Sequence, residues 1–179
     1  MGYCGAGCFC APPKVGRAQW FGWGLGLNKM LDVTAFQPLY FEDIRVGMRE
    51  SLMRTVMDED IVGFAELTGD HNPVHLSDLY AQKTVFGQRI AHGLYTASLI
   101  SAILGTKLPG PGAVYISQTI EFHGPVKIGD VVTVSAEVVE LIEKGRRVVL
   151  YCEAKVDGQR VLDGQAIVSV PRRPVLPQS

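Results

Sequence analysis

LYTASLISAIL, residues 94–104, is apolar at nearly every position and is interrupted only by Thr96, Ser98 and Ser101. A helix that is apolar nearly all round belongs inside a domain rather than on its surface. It falls well short of the roughly 20 residues that span a bilayer. Gly105 supplies a stop, and Pro109 and Pro111 prevent the helix from resuming.

No further helical pattern follows. Residues 114–122 alternate, with Val114, Ile116, Ile120 and Phe122 on one face and Tyr115, Ser117, Thr119 and Glu121 on the other. Three more strands are expected at about 131–142, 147–157 and 160–170, separated by the turn signals Lys144-Gly145 and Asp157-Gly158. Upstream, residues 48–57 suggest a strand with imperfect alternation. Asp58 reads as the N-cap of a helix carrying Ile61, Val62, Phe64, Ala65 and Leu67, closed by Gly69. Residues 70–76 are expected as a loop and 77–83 as a short helix. A small helical segment, one buried helix and then an antiparallel meander imply an α+β domain whose sheet wraps the helix. Such a sheet leaves edges and a partly apolar outer face, which dimerisation would cover.

The chain has 179 residues, enough for one domain and short for two. Residues 34–171 form the expected domain, 1–33 a glycine-rich extension expected to be disordered, and 172–179 a solvated tail. The formal net charge of -1 and a pI near 6.4 leave no electrostatic footprint for nucleic acid or an anionic membrane. The first residues lack a basic region followed by an apolar run, so a reducing, cytoplasmic setting is the expectation. Cys4, Cys8 and Cys10 do not make the paired four-ligand set of a structural zinc site, and Cys152 reads as a small core hydrophobe. No metal and no cofactor are expected.

The chemistry concentrates in GDHNPVH, residues 69–75, and AHG, residues 91–93. Taken alone, Asp70 and His75 allow two readings: a capped turn with a half-buried histidine, or an acid–base pair. His71 and His75 have the i, i+4 spacing of a helical metal site, but Pro73 between them disfavours helical geometry at Asn72. Pro73 does stiffen the loop, which suits a pair held at fixed separation. Lys83, Arg89, Lys107 and Lys127 lie near these blocks, where a solvated face explains them as well as a phosphate contact. Tyr95 and Leu99 could line an acyl pocket or simply belong to the core.

The run LTGDHNPVHL, residues 67–76, closely resembles the signature of the MaoC-like, R-specific enoyl-CoA hydratases. The resemblance continues through Phe86, Ile90-Ala91-His92-Gly93, Leu104-Gly105, Leu108-Pro109-Gly110 and Gly129-Asp130, and covers residues 41–170. It implies a hot-dog fold and reversible hydration of trans-2-enoyl-CoA to (R)-3-hydroxyacyl-CoA. By motif match it assigns Asp70 and His75 as catalytic and Gly93 as the backbone N–H that polarises the thioester carbonyl. Ser101 matches a serine that supports the site in some members, and Asn72 a residue that holds the loop or touches substrate. The implied partners are an acyl-CoA or acyl-carrier-protein thioester and a second copy of the chain, as homodimer or higher homo-oligomer. Competing readings are a 3-hydroxyacyl thioester dehydratase of fatty-acid synthesis, a non-catalytic acyl-CoA-binding module and a thioesterase, for which the DxNPxH loop is not required.

Overall fold

In a computed structural model of the chain, the described residues are 38–174. The extension at 1–33 with its cysteine cluster lies outside them, as do residues 175–179 of the tail.

A 3-10 turn at Phe41–Asp43 leads to β1 (Arg49–Thr55) and α1 (Asp58–Thr68), then two single turns, α2 (Pro73–Leu76) and α3 (Asp78–Ala81). The central helix α4 (Gly93–Thr106) precedes β2 (Val114–Gln118), β3 (Glu121–Phe122), β4 (Val131–Ile142), β5 (Arg147–Val156) and β6 (Gln159–Ser169). The strands form one antiparallel sheet in the order β1-β4-β5-β6-β2, with β3 also pairing β6. The sheet packs against α4, meeting the expectation of an antiparallel sheet wrapped around a long helix.

Period-two alternation explains which face is inward. Val132, Val134, Ala136 and Val138 of β4 and Val148, Leu150, Cys152 and Ala154 of β5 are all fully buried. They meet Ile100, Ile103 and Leu104 of α4 in the core. Each fully buried isoleucine there contributes about 1.5–3 kcal/mol relative to exposure. Cys152 is a core residue as expected, and burial pushes its thiol up to about 12. Ser98 and Thr106 do not open the helix, because their hydroxyls donate to the Tyr95 and Ala102 carbonyls of α4 itself.

The outer face is mixed, with Met53 and Val131 exposed beside a polar cluster. Arg49 reaches Ser135 Oγ and Glu153 Oε1, each at 2.9 Å, and Lys155 Nζ meets the same carboxylate oxygen at 2.8 Å. Burial raises the Glu153 carboxyl, but Lys155 and Arg49 outweigh it and hold the group below its ordinary value.

Several expectations are corrected. Asp58 is the first residue of α1 and Met57 the N-cap, where Asp60 Oδ2 accepts from the Met57 N–H at 3.0 Å. Residues 70–76 are not all loop: Pro73 starts a helical turn, since proline suits the first helical position, where no N–H is required. The expected strand at 114–122 breaks into β2 and β3, with a register shift between Tyr115 and Ser117. Gly105 lies inside the last turn of α4, which runs to Thr106. The helix is also not buried all round. Ser98, Ser101 and Ala102 are exposed, and Leu94 is 63% exposed. Among the described residues no helix is long and apolar enough to cross a membrane.

Candidate active site

Gly69 closes α1 with φ +77°, a left-handed conformation that glycine adopts at little cost, and turns the chain back toward α4. The following residues are tied down locally. The Asp70 N–H donates to Thr68 Oγ1 and the Asn72 N–H donates to Asp70 Oδ1, both at 3.3 Å. Asn72 caps α2, its Oδ1 accepting from the Val74 N–H at 3.2 Å. Asn72 thus holds the turn that carries His75, one of the two roles open to it. His71 points elsewhere, to Glu66 on the surface at 3.4 Å, and does not share a ligand face with His75.

His75 is buried at 8% exposure, and its Nδ1 lies 2.8 Å from the Ile90 carbonyl. A carbonyl only accepts, so Nδ1 donates to it and Nε2 is the ring nitrogen left for other partners. A carboxylate oxygen of Asp70 and one ring nitrogen each of His75 and His92 lie within 4.8 Å of one another. The His75 and His92 rings lie 3.9 Å apart, tilted by 32°, and His92 Nε2 is turned to the Asp70 carbonyl at 3.0 Å. The carboxylate and the two rings form one compact group able to hand on a proton.

His92 is the N-cap of α4, and Gly93 begins the helix. Among the described residues no protein acceptor is found for the Gly93 N–H, as expected for a first helical turn, and the helix dipole adds partial positive charge there. His75 and Gly93 line one cavity of about 440 Å³, whose walls are largely apolar and include Phe86, Ile90, Phe122, Val126 and Val161. An ideal Cβ at Gly93 would sit 2.8 Å from the Phe122 ring, so glycine keeps this wall close to the helix start. Such a site sets a hydrogen-bond donor at a helix N-terminus and the His75 ring against one apolar-walled cavity, with the Asp70 carboxylate close to that ring.

Asp70, His75 and Gly93 thus come together, but Ser101 does not join them within one chain. It lies about 12 Å further along the helix axis from Gly93 and faces a separate groove with Leu94, Ala97, Tyr115 and Ile116. Tyr95 is a core residue packed edge-on to Phe64, and Leu99 packs partly buried against the same core. Arg89 is held by Asp58 and Asp78 at 2.7 and 2.9 Å, so it is not a free cation. His92 stands inside the block 90–93, which by itself gives it no role. Its place directly before the helix-starting glycine was the available signal.

A family model described as "MaoC like domain" matches residues 43–158. The chain is 60% identical over 135 residues to a 3-hydroxybutyryl-CoA dehydratase of Methylorubrum extorquens, covering 75% of this chain and 86% of that protein. It is 48% identical over 134 residues to an (R)-specific enoyl-CoA hydratase of Rhodospirillum rubrum, covering 75% and 93%. The fold is similar to that of the R-hydratase PhaJ1 from Pseudomonas aeruginosa, with TM-score 0.73, 37% identity, and 80% and 97% of the two chains covered.

Proposed function

The chain belongs to the MaoC-like domain family, and on that premise we propose that it is a hydro-lyase acting on CoA thioesters, interconverting trans-2-enoyl-CoA and (R)-3-hydroxyacyl-CoA. The observation that carries this reading is the Asp70 carboxylate beside His75, with His75 and an unpaired helix N-terminus at Gly93 facing one apolar-walled cavity.

Water attacks C3 poorly without a base, and Asp70 and His75 Nε2 are the groups able to accept its proton. As the C3–O bond forms, the π electrons of the double bond move toward C2 and the thioester oxygen. The Gly93 N–H meets that developing negative charge. Loss of one such donor typically costs about two to three powers of ten in turnover. The proton then passes to C2 from the same side, since the acid–base pair is one compact cluster. Dehydration is the same path reversed.

Purified protein should consume the enoyl absorbance of trans-2-butenoyl-CoA or a longer homologue. The product should be oxidised by an R-specific and not an S-specific 3-hydroxyacyl-CoA dehydrogenase. A folded protein inert toward short and long enoyl chains on both CoA and carrier protein would remove the assignment.

The uncovered side of α4 continues into Val114 at 60% and Ile116 at 48% exposure on the edge strand β2. We infer that a second copy of the chain covers this face, a reading supported by its apolar character and unpaired strand edge. Sedimentation equilibrium should return at least twice the chain mass of 19.5 kDa. A monomer at micromolar concentration would contradict this.

A further inference from the structure

We propose that His92 is a positioning residue for the reaction, fixing the Asp70 backbone and the His75 ring relative to the Gly93 N–H. The inference rests on the hydratase reading above and adds to it a residue outside the catalytic pair.

His92 is 2% exposed, and three contacts define its position. Its Nε2 lies 3.0 Å from the Asp70 carbonyl, which can only accept, so Nε2–H donates and ties the loop to the start of α4 across 22 residues of sequence. Its ring stacks on His75 at 3.9 Å. On another side the Phe64 ring closes in at 5.1 Å, tilted by 48°. The next peptide is the one that offers the Gly93 N–H. One side chain thus touches both members of the acid–base pair and is covalently joined to the oxyanion donor. Nothing else in the described structure connects all three.

Two features argue against a plain packing role. An apolar ring would fill the space between Phe64 and His75 without leaving a buried polar atom, yet His92 Nδ1 is buried with no hydrogen-bond partner. Burying an unpaired polar atom is costly, and its retention calls for a return elsewhere. That return is the Nε2–H bond to Asp70. The bond holds the residue that is otherwise attached only by two 3.3 Å bonds to its own neighbours and is itself exposed. Misplacing a reacting group by about 1 Å can cost about a hundredfold in rate.

The test compares His92→Phe, which keeps a ring in the stack but removes the donor, with His92→Gln, whose amide N–H can still reach the Asp70 carbonyl. Steady-state hydration of trans-2-butenoyl-CoA and thermal melting are measured for both beside the unaltered protein. The expected result is a kcat lowered about ten- to a hundredfold in His92→Phe, with KM within about twofold of the unaltered protein and kcat largely recovered in His92→Gln. A His92→Phe protein that melts earlier but turns over at the original rate would overturn the proposal, assigning His92 to stability alone. Should His92→Phe fail to fold, His92→Met carries the same comparison. Failure of both to fold while His92→Gln folds and works would also overturn it. Hydration by the unaltered protein, lost in Asp70→Asn but intact in His92→Phe, would sink this inference and leave the hydratase reading standing. Absence of hydration in the unaltered protein would remove both.

Discussion

Asp70→Asn should lower kcat for enoyl-CoA hydration by about 10²- to 10⁴-fold, the usual worth of a positioned acid–base group, while leaving the melting temperature unchanged. The substitution is nearly isosteric. The amide oxygen can still accept the Asn72 N–H that now reaches Asp70 Oδ1, and the Asp70 backbone contacts with Thr68 and His92 do not involve the carboxylate. The side chain is exposed and is not part of the hydrophobic core. What disappears is a group able to take a proton beside His75. His75 keeps its tautomer, because that is set by the Ile90 carbonyl. Rate and stability should therefore separate, with circular dichroism unaltered and turnover nearly gone. An Asp70→Asn protein with more than about a tenth of the original turnover would take Asp70 out of the proton-transfer step.

Gly164→Ala should have the largest effect on the fold. Gly164 pairs with Cys152 in the middle of β6, just where the segment joining β2 to β3 crosses. An ideal Cβ there would lie 1.9 Å from the Thr119 carbonyl oxygen and 2.7 Å from its carbon. Both are backbone atoms and cannot swing aside. The crossing is itself anchored by the Thr119 N–H donating to the Gln165 carbonyl at 2.9 Å and the Gln165 N–H donating to Thr119 Oγ1 at 3.1 Å. A methyl group must force these apart, at about 3 kcal/mol, which lowers the melting temperature of a chain this size by about 10 °C. The displaced segment leads into Phe122 and His123 of the cavity wall, so KM should rise as well. Gly63→Ala is the control: it lies exposed in α1 with nothing within 4 Å of an added Cβ. It should stabilise by up to about 1 kcal/mol through helix propensity. Equal melting temperatures for the two variants would contradict the steric account.

These two sites differ in how far sequence alone could reach them. Asp70 and His75 are five residues apart, so a local reading keeps them near each other, while only the resemblance of residues 67–76 to a known signature favours an acid–base pair over a capped turn. The central helix and strands β4, β5 and β6 were legible for a similar reason: apolar periodicity and turn residues act over a few neighbouring positions. The segment between β2 and β3 packs onto a glycine more than forty residues away in sequence, and no periodicity encodes that approach. Pro73 misled in the opposite direction, since a residue that disfavours helix before it also starts the turn that carries His75. Helix apolarity suggested burial on every side, but within one chain the sheet covers only part of α4. The Ser98, Ser101 and Leu94 side stays open, and Ser101 stands apart from the pair it was expected to support. His92 was visible as a letter in a motif, while its bond to the Asp70 carbonyl appears only in three dimensions.

The most direct test of the central claim is hydration of trans-2-butenoyl-CoA in D₂O, with the relative configuration at C2 and C3 of the product read by NMR. A single Asp70–His75 cluster on one side of the substrate predicts that deuterium and hydroxyl arrive on the same face, with R configuration at C3. Addition to opposite faces, or no addition at all by the folded protein, would contradict it.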